Sequence, residues 1–128
     1  LEHNAKTWWE IFDPNAPGDN PYAGTSCHGY GVSPNGFLIS EVAGVRPAKA
    51  GFTTIYFNPL TSGVHSVKAK IPTPYGQIMV EWELKEGNQL EAVIDANYPL
   101  AVIPELEPGI AESAVIHVSD EVSIFASE

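Results

Sequence analysis

The chain has 128 residues, of which 44% are hydrophobic and 17% charged, a composition that fits one globular domain with its own core and excludes a disordered segment. Acidic residues outnumber basic ones by 16 to 6, for a formal net charge of −10, and a field of that sign repels nucleic-acid phosphates and anionic lipids. The one cysteine, Cys27, rules out an internal disulfide and any Cys-based zinc site, and no apolar run approaches the roughly 20 residues that span a bilayer.

In chain order, residues 1–46 are irregular and aromatic-rich. The start, Leu1-Glu2-His3-Asn4, has neither the basic nor the apolar region of a signal peptide, so a signal would have to precede it and the compartment stays open. One helix is expected over about 34–43. Ser33 can cap it, Pro34 suits the first turn, and Gly44 can close it in a left-handed conformation. Phe37, Leu38, Glu41 and Val42 would share an inward face.

From residue 51 the signals are those of strands. Phe52–Asn58 is rich in β-branched and aromatic residues. Val64–Ile71 alternates, with Val67, Ala69 and Ile71 on one face and Ser66, Lys68 and Lys70 on the other. Gln77–Leu84 is the clearest case: Ile78, Val80, Trp82 and Leu84 alternate with Met79, Glu81 and Glu83. Gly87-Asn88 marks a turn, and Leu90–Ala96 should return beside the preceding strand as a hairpin. Leu100–Ile103, Ala114–Val118 and Val122–Ala126 complete about seven strands. With eleven prolines and eleven glycines as punctuation, the pattern predicts an all-β, antiparallel, jelly-roll-like sandwich, with an irregular N-terminal segment and one short helix.

Two places in the first part could carry chemistry. In Trp8-Trp9-Glu10 a carboxylate stands beside two indoles. Aromatic faces stack on sugar rings, and an apolar wall raises a carboxyl pKa towards general-acid work. A surface glutamate beside core tryptophans is the plainer reading. In Cys27-His28 adjacent side chains rarely meet at one ion or one reacting atom, and His3, His65 and His117 are scattered. No metal site is expected, no cofactor is implied, and Cys27 reads as a small buried filler. In the second part Trp82 reads as core, and Glu81 and Glu83 as a solvated strand face. No phosphate-binding loop, zincin signature or hydrolase elbow is present.

The ordered run Thr25-Ser26-Cys27-His28-Gly29-Tyr30, Pro34, Phe37-Leu38, Val42-Ala43-Gly44-Val45-Arg46-Pro47 and Gly51-Phe52 resembles the bacterial α-L-rhamnosidases. Thr73-Pro74-Tyr75-Gly76-Gln77-Ile78-Met79-Val80-Glu81-Trp82 continues the likeness. Upstream, Thr7-Trp8-Trp9-Glu10 is similar to an element of that family's catalytic barrel. The resemblance covers roughly residues 5–105, and the order of its separate motifs makes it more specific than any one of them. Tyr30 and Gly31 depart from the family's usual Trp and Ser.

The resemblance implies an inverting glycoside hydrolase with an (α/α)6 barrel followed by a C-terminal β-sandwich. Residues 1–46 would be the tail of the barrel, and 47–128 the sandwich. Glu10 would be the general base that activates water, Trp9 an aromatic wall beside it, and His28 and Tyr30 sugar contacts. The general acid would lie upstream of Leu1. The implied partner is a rhamnose-containing glycoside of the intact enzyme; no nucleic acid or membrane partner is expected. The chain alone would be inactive, and self-association is expected through residues 1–46. Two other readings stand beside this one: a sandwich that binds carbohydrate without cleaving it, and a purely structural domain.

Overall fold

The computed structural model describes residues 33–125. The chain divides into two compact units, Leu1–Phe37 and Leu38–Glu128. Of the first, the described part is a single helix, α1 (Ser33–Phe37), with all five residues exposed.

The second unit is a β-sandwich, as the sequence predicts. One sheet holds β1 (Val45–Pro47), β2 (Thr54–Phe57), β6 (Leu100–Pro104) and β8 (Val122–Ile124), in the order β1-β2-β6-β8. The other holds β3 (Ser66–Thr73), β4 (Gly76–Lys85), β5 (Gln89–Ala96) and β7 (Val115–Val118), in the order β3-β4-β5-β7. A short helix, α2 (Pro108–Ala111), joins β6 to β7 and inserts Ile110 into the core.

The core lies between the sheets. From the second sheet Ile78, Val80 and Trp82 of β4 turn inward, each at most 1% exposed. Ile55 and Phe57 of β2 and Val102 of β6 meet them from the first sheet and are fully buried. Each large side chain taken out of water in this way stabilises the fold by about 1.5–3 kcal/mol. The intervening β4 residues Met79, Glu81 and Glu83 are exposed, so the alternation read from the sequence is the alternation of burial.

The pairing directions differ from the antiparallel expectation. Among the described residues β1·β2, β3·β4 and β4·β5 are antiparallel, whereas β2·β6, β5·β7 and β6·β8 are parallel. The chain crosses from one sheet to the other on leaving β5, β6 and β7 in turn. A strand that returns to a sheet after such an excursion can lie parallel to its neighbour, which a tight hairpin cannot achieve. Alternation in the sequence reports which face is buried; it carries no signal for partner direction.

The helix expected over about 34–43 is two pieces. After α1 the backbone widens into a π-helical turn, Leu38–Val42, closed by the bond from Ala43 N–H to the Leu38 carbonyl at 2.8 Å. The wider turn rotates the apolar positions away from the expected face. Phe37 and Leu38 are 57% and 52% exposed, and it is Ile39 and Ala43 that turn inward. Gly44 ends the helical run at φ 78°, as predicted, and a Cβ there would collide with the backbone of Asn58 and Pro59. Only glycine satisfies both constraints. β1 follows at once, with Val45 fully buried and opposite Phe57; the division expected between residues 46 and 47 passes through this strand.

Candidate functional site

The residues singled out from sequence, Trp9, Glu10, His28 and Tyr30, lie outside the described residues, as do Trp8 and Cys27. Within the described residues a groove of about 540 Å³ lies on the outer face of the second sheet. It is built by the β3–β4–β5 meander. The β3–β4 turn contains only Pro74 and Tyr75, with Thr73 paired to Gly76. The Thr73 hydroxyl accepts hydrogen bonds from the backbone N–H groups of Tyr75 and Gly76, at 3.3 and 3.2 Å, and donates to the Gly76 carbonyl at 3.0 Å. Asn97 Oδ1 accepts the Gln77 N–H at 2.8 Å. So tight a turn fixes the register of every residue beyond it.

That register sets two polar rows across the outer face. Ser66, Glu83 and Glu91 stand side by side, and the next row runs Lys68, Glu81, Val93 and His117. Lys68 Nζ donates to Glu81 Oε2 at 2.7 Å, and Lys85 pairs with Glu91. His117 Nε2 lies 4.0 Å from the other oxygen of Glu91. These side chains are largely open to water, so each pair contributes at most about 1 kcal/mol. Their larger effect is to hold the polar groups in place. Glu83 and Glu91 face one another directly, a like-charge opposition that is unfavourable across strands and that Lys85 offsets at one member.

On the first sheet Arg46 Nη2 donates to Glu105 Oε2 at 3.0 Å. Among the described residues no group of three or more His, Cys, Asp or Glu side chains is placed to hold a metal ion. No described helix is long and apolar enough to cross a membrane. The sequence places Glu81 and Glu83 on a solvated strand face, and Lys68 opposite the apolar face of its own strand. The pairing of Lys68 with Glu81 was legible in principle, because the two-residue turn at Pro74-Tyr75 sets them opposite. The pairing of Lys85 with Glu91 follows from the register of the β4–β5 hairpin, whereas the approach of His117 to Glu91 depends on β7 lying parallel to β5, which alternation does not reveal.

Comparison with known proteins places this architecture. The family described as the bacterial α-L-rhamnosidase C-terminal domain matches residues 44–110, from the end of the π-helical turn to α2. An α-L-rhamnosidase of Formosa agariphila is 30% identical over 102 residues, covering 76% of this chain and 11% of that protein. The crystal structure of a GH78 family rhamnosidase of Bacillus sp. GL1 superposes with a TM-score of 0.64 at 26% identity, covering 93% of this chain and 12% of that one. The chain therefore spans about an eighth or less of the length of these relatives. With the motif order, the two-sheet architecture and the family match in agreement, the chain belongs to the family of bacterial α-L-rhamnosidase C-terminal domains.

Proposed function

We propose that this chain works as part of an α-L-rhamnosidase that removes terminal α-L-rhamnosyl residues from glycosides or polysaccharides with inversion, the sandwich serving as a non-catalytic accessory domain. The observation that supports this most is the co-occurrence of the family match over residues 44–110 with the barrel-like elements Thr7-Trp8-Trp9-Glu10 and Ser26-Cys27-His28 ahead of it in the expected order.

In this reading Glu10 takes the proton of the attacking water, and a general acid from the part of the enzyme ahead of Leu1 protonates the leaving oxygen. Inversion requires the two carboxyl groups about 6.5–9.5 Å apart, so that water fits between base and anomeric carbon. Trp9 supplies an apolar wall, and His28 and Tyr30 contact the sugar. The Tyr in place of the family's usual Trp keeps a stacking face and adds a hydroxyl. The residues ahead of the sandwich are then the tail of the helical catalytic domain.

The test is Glu10→Gln in the intact enzyme. A Gln side chain cannot accept the proton from water, so turnover of an aryl α-L-rhamnoside should fall by orders of magnitude while the thermal midpoint is unchanged. Proton NMR of the wild-type reaction should show the β-anomer of rhamnose as the first product. Near-normal hydrolysis by the variant, or first release of the α-anomer, contradicts the assignment.

A further inference from the structure

We infer that the groove on the outer face of β3, β4 and β5 is a binding site for a terminal 6-deoxyhexosyl group. The choice of a deoxyhexose over other neutral sugars rests on the rhamnosidase reading above; the groove's preference for a neutral polyhydroxylated ligand rests on its own chemistry.

The groove's charged lining is two ammonium groups, Lys68 and Lys85, against three carboxylates, Glu81, Glu83 and Glu91. The balance is one negative charge, within a chain of net −10, which disfavours phosphates, sulfated sugars and acidic peptides. What the lining offers is closely spaced donors and acceptors: the ammoniums and the Ser66 hydroxyl donate, and the carboxylates accept. A sugar's vicinal hydroxyls match that alternation. Two of the carboxylates are held by cross-strand lysines, so part of the ordering cost of binding is met before the ligand arrives. Glu83, between Ser66 and Glu91, has no ion-pair partner among the described residues and is the natural acceptor for two hydroxyls.

The floor adds selectivity. Val93 is 47% exposed at the centre of the polar rows, between Glu81 and His117. Trp82 underlies the groove but is 1% exposed, so ring stacking is not offered. Val93 is the exposed aliphatic side chain of the groove lining, and an aliphatic contact among hydroxyl-binding groups suits a sugar with one methyl in place of a hydroxymethyl. A sugar that presents a hydroxyl to Val93 loses a hydrogen bond to water without replacement. In so open a groove the affinity for a monosaccharide would be weak, on the order of millimolar.

The experiment uses the 128-residue chain, 15N-labelled, titrated separately with L-rhamnose and with L-mannose, which differ only at C6. L-Rhamnose should shift backbone amide resonances confined to β3, β4 and β5 around Ser66, Glu83 and Val93, with an affinity several-fold higher than L-mannose. Glu83→Gln, an exposed substitution that should not disturb folding, should weaken L-rhamnose binding several-fold. Lys70→Gln, on the same sheet face but outside the groove, should leave it unchanged. Shifts that are absent, that map elsewhere, that are equal for the two sugars, or that survive Glu83→Gln undiminished would each overturn the inference. If the intact enzyme hydrolyses aryl rhamnosides while the groove gives no response, the groove fails alone. If the groove binds L-rhamnose while Glu10→Gln leaves hydrolysis intact, the catalytic assignment fails instead.

Discussion

Tyr98 donates its hydroxyl to the carbonyl of Phe52 at 2.9 Å, joining the β5–β6 crossover to the residue that leads into β2. Tyr98 is 7% exposed, and Phe52 holds φ at 61°, a conformation that bulky residues avoid. The bond therefore ties a strained residue of the β1–β2 connection to the crossover between the sheets. Tyr98→Phe should keep the ring packing and lose the bond, costing about 0.5–1.5 kcal/mol. A urea midpoint equal to wild type would show that the bond contributes nothing.

Trp82 sits deep in the core, with its indole N–H buried and unpaired among the described residues. Trp82→Ala should destabilise the sandwich by about 3–5 kcal/mol, through lost burial and a residual cavity. Trp82→Phe should cost less than half of that, because it keeps most of the ring and removes a donor whose desolvation is uncompensated. Equal losses for the two variants, measured by chemical denaturation, would mean that the N–H is satisfied.

Gly51 has φ 77°, and a Cβ there would lie 2.7 Å from Cε2 of Tyr75. Gly51→Ala should cost about 1–2 kcal/mol. Tyr75 is 62% exposed, and its ring can swing aside, so most of the cost should be backbone strain. The same substitution in a Tyr75→Ala background should therefore be nearly as damaging. If the background rescues it, the clash and not the dihedral is the cause.

Self-association, if it resides in the aromatic-rich N-terminal segment, should vanish when that segment is removed. The cut belongs between Phe37 and Leu38, the boundary of the two units. A cut after Arg46 would remove Val45, which is fully buried opposite Phe57, and would expose core instead. Light scattering on the shortened chain should report a monomer. A mass matching that of the full chain's assemblies would place the contact on the sandwich.

The strands were legible because period-two burial writes itself into the sequence: Ile78, Val80 and Trp82 could be assigned to the core before any coordinates. β1 was missed because its three residues, Val45-Arg46-Pro47, are too few to show a period. α2 was missed because four residues, Pro108–Ala111, give barely one helical turn. The π-helical turn had the composition of an ordinary helix, and one widened turn was enough to expose Leu38 and turn Ile39 inward. Lys68, Glu81 and Glu83 face outward as the alternation implies, but their assembly into a groove depends on the cross-strand register of β3, β4 and β5. Trp9, Glu10, His28 and Tyr30 were singled out on residue type and motif order and lie outside the described residues.

Release of the aglycone from an aryl α-L-rhamnoside by the purified 128-residue chain is the most direct measurement of whether this part of the family is accessory or catalytic. Inverting hydrolysis needs an acid and a base on opposite faces of one sugar, and in the proposed reading Glu10 would supply only the base. The expected rate is that of the buffer control. Sustained turnover above that rate, abolished by Glu10→Gln, would mean that the chain carries a complete catalytic pair and would contradict the accessory role.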